Sequence, residues 1–153
     1  MLDPTAIDLP TLVSLAATAA NTHLLDQLHK AGFDGIRVSH GYVIQHLVEG
    51  EPTIGELADR LGVTQQAVSK TVAELESLGY VSRRMDAGDS RIRRVTLSER
   101  GHAMLAQSRA DRHTLEHAVD GDIDEAKRVL VRLLEATGSL DAIANRSAPP
   151  PVD

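Results

Sequence analysis

Two threonines and two glycines divide residues 53–79 into two short helices with almost nothing between them. Thr53 and Glu56 stand three apart, the spacing at which each side chain satisfies a backbone donor that the first helical turn leaves open. Ile54, Leu57, Ala58 and Leu61 then form one apolar face, and Gly62 ends the helix. Val63 crosses the gap. Thr64 is the next N-cap, opening a stretch in which Val68, Val72, Leu75 and Leu78 follow at steps of four, three and three until Gly79 stops it. A join of about three residues between two such helices predicts a helix-turn-helix.

The neighbouring segments follow the same grammar. Leu9, Leu12, Val13, Leu15, Ala16, Ala19, Ala20, Leu24 and Leu28 have helical spacing, with Pro10 in the first turn and Gly32 and Gly35 as breaks. Residues 40–50, HGYVIQHLVEG, predict a second, shorter helix closing near Gly50. After Gly79, YVSRRM (80–85) and RIRRVTL (91–97) flank the turn residues DAGD and predict a β-hairpin. Ser98 predicts the cap of a long helix running to about Val119. DGDID (120–124) breaks it, and Ile123, Ala126, Leu130, Leu133 and Leu134 mark a last helix that Gly138 interrupts. The proline-rich end, residues 147–153, is expected to be disordered.

Aromatic residues make up only 2% of the 153 positions, so the core must come from Leu, Val, Ile and Ala, which suits helix packing. There is no cysteine, which excludes a disulfide framework, a thiol nucleophile and a thiolate metal site. The acidic, proline-interrupted start does not resemble a signal peptide, and no apolar run approaches the ~18 residues of a membrane span. The expected setting is the cytoplasm, with no membrane partner. No nucleophile–base arrangement, paired carboxylates or phosphate loop points to an enzyme. No cofactor is expected.

The net charge is -6, but it is unevenly spread. Residues 60–100 carry eight basic and five acidic side chains, while both flanks are acidic. Overall charge argues against a polyanionic partner, yet the middle segment permits one. In the second helix of the pair, Thr64, Gln65, Gln66, Ser69 and Lys70 crowd the first two turns. These residue types hydrogen-bond base edges and phosphates, and a recognition helix uses its N-terminal residues in this way. Capping and solvation of a surface helix is the plainer reading. The hairpin weighs against it. Arg83, Arg84, Arg91, Arg93 and Arg94 lie close to one turn and repel each other unless a polyanion is near. A charge-guarded edge strand needs one or two such charges, not five. An arginine at the tip of a thin hairpin fits the narrow, negative minor groove.

The stretch DAGDSR, followed by IRRVTLSERG and preceded by ELADRLGVTQQAVSKTVAELESLGYVSRR, resembles the MarR family of winged helix-turn-helix transcription regulators over about residues 36–120. The resemblance implies that Arg91 enters the minor groove, Asp89 holds the wing in shape, and the helix from Gln65 reads the major groove. It implies that the first and last helices form a homodimer. Here Ala87-Gly88 stand where many members have Pro and an acidic residue, and Ser90 where Arg is common.

The expected fold is therefore mainly α (α+β). A winged helix-turn-helix domain spans 36–97, and a helical dimerisation region is built from 8–35 and 98–146. The expected function is a regulator, most simply a ligand-responsive repressor, that binds a palindromic operator in double-stranded DNA. The DNA-binding residues are Thr64, Gln65, Gln66, Ser69, Lys70, Arg83, Arg84, Asp89, Arg91, Arg93 and Arg94. The resemblance also implies a small aromatic or anionic effector, in a cleft that His23, Arg37, His40 and Tyr42 could border. Two alternatives stand beside this. One is a winged-helix module that binds protein, which would survive Arg91→Ala and Lys70→Ala. The other is a zinc-responsive regulator in which His113 and His117, four apart, are completed by Asp111, Glu116 or His40.

Overall fold

The computed structural model describes residues 3–141. Residues 142–146 of the expected dimerisation region and the tail 147–153 lie outside the described residues. Six α-helices and a two-stranded antiparallel sheet are formed among the described residues: α1 (Leu9–Lys30), α2 (Val38–His46), α3 (Ile54–Leu61), α4 (Gln65–Ser77), β1 (Val81–Met85), β2 (Arg93–Leu97), α5 (Glu99–Ala118) and α6 (Ile123–Ala136).

Local chemistry sets most of the boundaries. Asp8 caps α1 by accepting from Thr11 N–H at 3.0 Å, with Pro10 in the first turn. Thr53 and Glu56 form the reciprocal capping box on α3, with bonds of 2.8 and 3.2 Å. Gly62 ends that helix at φ +68°, a left-handed conformation that glycine adopts without strain. Thr64 caps α4, Ser98 caps α5 and Asp122 caps α6. The second helix departs from expectation. It starts at Val38 and stops at His46, not 40–50, because the ring of His40 itself caps it, Nδ1 accepting from Arg37 N–H at 3.2 Å.

The core lies in the middle segment. Leu57 and Leu61 from α3, Val68, Val72 and Leu75 from α4, Val43 and Ile44 from α2, Val81 and the β2 residues Val95 and Leu97 are all buried together. Tyr80, the largest fully buried side chain, donates its hydroxyl to the Asp34 carbonyl at 2.9 Å, so burial leaves no polar group unpaired there. Helix α5 seats on this core through Gly101. A Cβ at that position would stand 2.1 Å from the Tyr80 carbonyl oxygen, so only glycine lets the helix approach. The same carbonyl accepts Ser98 N–H at 3.0 Å.

Outside that core the helices are poorly covered. Leu9, Leu12 and Leu15 stand exposed on α1, and no residue of α6 is buried. Val119, Leu130 and Val131 are exposed as well. No helix among the described residues is long and apolar enough to cross a membrane.

Candidate nucleic-acid interface

The wing is organised by its aspartates. Asp86 accepts from Gly88 N–H at 2.8 Å and Asp89 N–H at 3.2 Å. Asp89 accepts from Arg91 N–H at 2.9 Å. Such side-chain-to-backbone bonds two and three residues on are how Asp builds a turn. The backbone closes the loop further, with Asp86 N–H on the Ile92 carbonyl and Ile92 N–H on the Asp89 carbonyl, both at 3.0 Å. Arg91 and Ile92 thus belong to the loop, and the second strand begins at Arg93, two residues later than the sequence predicts.

The five arginines divide into two groups, which changes the repulsion expected from the sequence. Arg94 is bound to the Asp86 carboxylate, lies 3.7 Å from Glu56, and donates to the Glu51 carbonyl at 3.0 Å. It fastens the base of the wing to the start of α3. The Arg94 hydrogen bond, followed by the backbone bonds, holds the Asp86 carboxyl below its ordinary range. Arg83 is half-buried, pairs with Glu76 of α4 at 3.4 Å, and reaches the Ser69 carbonyl at 3.5 Å. Much of the expected repulsion is thereby relieved inside the protein. This matters most for Arg84 and Arg94, which are directly opposite in the sheet register.

Arg84, Arg91 and Arg93 remain on the outside. Arg91 is 93% exposed, with Asp89 3.9 Å away as its ionic neighbour. At that exposure an ion pair is worth little, and the guanidinium is available to another anion. On α4, Thr64, Gln65, Gln66 and Lys70 are exposed, whereas Ser69 is half-buried. Thr64 Oγ1 is occupied as the cap of Ala67 N–H at 3.2 Å. The Gln65 amide rests over Gly55, its Nε2 3.4 Å from where a Cβ would stand. Gln66 and Lys70 are therefore the outward-facing polar groups of the helix start.

Sequence reasoning missed a polar cluster behind α4. Arg37, at the start of α2, is ion-paired with Glu74 in the last turn of α4. His40 is buried beside them. Because its Nδ1 accepts from the Arg37 amide, the neutral ring carries its proton on Nε2 and donates to Glu74 Oε2 at 3.3 Å. Burial holds the His40 pKa below its ordinary value, with the Arg37 charge adding to this and Glu74 opposing it. The His40 hydrogen bond and the neighbouring cations hold Glu74 low.

A cleft of about 530 Å³ opens between α1, α2 and α5. Its walls are Leu24, Leu25, Leu28, Ile36, Ile44, Val48, Met104 and Leu105, with Arg37, Arg109, Arg112 and Glu49 at the margins. Of the four residues expected to border such a cleft, only Arg37 does. Helical periodicity explains the others: Leu24 and Leu28 turn α1 toward the cleft and His23 away, while Gly41, Ile44 and Gln45 turn α2 toward it. His40 is buried against Glu74, and Tyr42 packs on the core.

The zinc alternative finds no assembled ligand set. Among the described residues no three His, Asp or Glu side chains converge. His113 and His117 stack at 4.0 Å, Glu116 pairs with Lys127 at 2.7 Å, and Gln107 donates to Asp111 at 2.8 Å.

Residues 34–92, the span from the α1–α2 connection through the wing loop, match the model of the MarR family. Solved MarR-type structures share the fold across most of the chain. YusO from Bacillus subtilis is 20% identical, with 83% of this chain and 94% of that one aligned at a TM-score of 0.63. The transcriptional regulator BldR from Sulfolobus solfataricus is 21% identical over 84% and 93%, with a TM-score of 0.58. MepR from S. aureus in complex with DNA is 20% identical over 84% and 98%, with a TM-score of 0.60. The winged-helix fold of these structures is therefore present, with helix α4 and the β1–β2 wing both formed.

Proposed function

We propose that this chain is a regulator of the MarR family, a homodimer that binds a palindromic DNA operator, with α4 in the major groove and the wing in the adjacent minor groove. One observation carries the reading. The outward polar start of α4 and the 93% exposed Arg91 belong to one rigid unit, because Arg83 ties β1 to α4 and Arg94 ties the wing to α3. The similarity to MepR, which is solved with DNA, supports it. In this arrangement Gln66 and Lys70 meet base edges and phosphates, and Arg84, Arg91 and Arg93 meet the backbone and the minor groove.

The second copy covers the exposed leucines of α1 and the unburied α6. Two-fold symmetry then places the recognition helices about 34 Å apart. The cleft between α1, α2 and α5 takes a small organic anion, whose apolar body meets the leucine walls and whose charge meets the arginines. Such a ligand weakens repression by favouring a dimer geometry that the operator does not fit. Selecting bound duplexes from a random pool, with and without a metabolite extract, tests this. The expected result is an inverted repeat with half-sites one helical turn apart. Recovery of no common sequence contradicts it.

A further inference from the structure

Arg37 belongs to two places at once. It lines the cleft, and it is the ionic partner of Glu74 in the last turn of the recognition helix. The two helices it joins, α2 and α4, are otherwise held by apolar packing and by the His40–Glu74 hydrogen bond. Beneath the pair sits His40, buried, with one ring nitrogen fixed by the Arg37 amide and the other directed at Glu74. The imidazole holds the carboxylate from below, so Glu74 keeps a partner when Arg37 leaves. Beyond Glu74, the Arg37 guanidinium lies 3.1 Å from His40 Nε2, while its side chain is 60% exposed and lines the open cleft.

Resting on the DNA-binding reading above, we propose that Arg37, His40 and Glu74 form a latch between α2 and the recognition helix, and that an organic anion in the cleft opens it by drawing Arg37 away from Glu74. Arg37 and Glu74 are positioning residues: they set how α4 sits and touch no base. The competition is reciprocal by linkage. Whatever free energy the anion spends in removing Arg37 from Glu74 is missing from its own affinity, and removing Glu74's charge returns it.

Benzoate, with an apolar ring and one carboxylate, is the probe, and benzamide is its neutral counterpart. Their affinities are measured by calorimetry on the full chain, for the wild type and for Glu74→Gln, Arg37→Gln and Glu76→Gln. Glu76→Gln makes the same charge change on the same helix, at a residue that pairs with Arg83 instead. The expected result is that Glu74→Gln tightens benzoate by about two- to fivefold, the range of a partly exposed ion pair. Benzamide is unaffected, Glu76→Gln changes little, and Arg37→Gln reduces the preference for benzoate over benzamide, with Arg109 and Arg112 still at the cleft. With a selected duplex, benzoate weakens DNA binding in the wild type and does so less in Glu74→Gln. Equal benzoate affinity in the wild type and Glu74→Gln overturns the latch. So does an equal gain in Glu76→Gln, or benzoate binding to neither protein. A wild type that binds no duplex sinks the DNA-binding reading instead, and the benzoate comparison still decides the competition for Arg37.

Discussion

Replacing Gly101 with alanine tests how the long helix α5 is seated on the winged core. The added methyl would lie 2.1 Å from the Tyr80 carbonyl oxygen, 3.1 Å from the Tyr80 carbonyl carbon and 3.1 Å from a Leu97 methyl. Ordinary contact begins near 3.4 Å, so more than an ångström must be recovered by moving backbone. Tyr80 resists the movement: its side chain is fully buried, and its carbonyl accepts Ser98 N–H. Overpacking a tight site costs ~1–3 kcal/mol, and a clash with backbone belongs at the upper end. Alanine recovers about 0.5–1 kcal/mol because it loses less backbone freedom in a helix. The net loss is about 2 kcal/mol, equivalent to a fall in Tm of roughly 4–8 °C for a chain of this size. Urea titration followed by far-ultraviolet circular dichroism, at fixed protein concentration, measures it. A lower midpoint with an unchanged slope is expected. An unchanged or higher midpoint would refute the reasoning, because it would mean that α5 does not approach β1 closely enough to need glycine.

Other perturbations address the remaining elements. His40 titrates below its ordinary value when folded, so the unfolded chain takes up its proton first; the stability it contributes is complete above pH ~6.5 and declines as the pH falls below it. Between pH 7 and 5.5 the urea midpoint should fall in the wild type, by no more than about 1.4 kcal/mol per pH unit for one proton, and fall less in His40→Gln; a wild type that gains stability on acidification contradicts this. If the chain pairs through α1 as proposed, Leu12→Asp places a charge on that face and should leave a monomer where the wild type sediments as a dimer in analytical ultracentrifugation, without changing the helical circular dichroism; a variant that stays dimeric places the interface elsewhere. Gln66→Ala should relax base preference at particular positions of the selected operator, by ~1–3 kcal/mol of discrimination, while leaving affinity for unrelated DNA unchanged; a uniform loss across sequences would assign Gln66 to the phosphates instead.

The helix-turn-helix was legible because its punctuation is local. Thr53, Glu56, Gly62, Thr64 and Gly79 act on neighbours within four residues, and the structure uses them at the places the sequence marks. The hairpin was legible for the same reason, as Asp86 and Asp89 shape a turn from inside it. What the sequence hid depends on distance along the chain. The start of α2 was misplaced because its cap is a histidine ring rather than a hydroxyl or carboxylate. The division of the arginines was hidden because Arg94 finds Glu56, 38 positions earlier, and Arg83 finds its partner on the preceding helix. The Arg37–Glu74 pair spans 37 positions and leaves no periodic trace. Gln65 gave no sign of resting over Gly55, since that contact exists only once α3 and α4 are packed.

Titrating one selected duplex at several salt concentrations, with the wild type and Arg91→Ala, tests most directly whether α4 and the wing grip DNA together. Lys70, Arg84, Arg91 and Arg93 are the outward cations of α4 and the wing, so their full engagement in a dimer gives a log–log slope of about -7 at roughly -0.9 per phosphate. Arg91→Ala should weaken binding to every sequence and make the slope shallower by about 1.8, two contacts per dimer. Binding that ignores salt, or an Arg91→Ala protein with the wild-type affinity and slope, would show that the wing does not lie on the duplex.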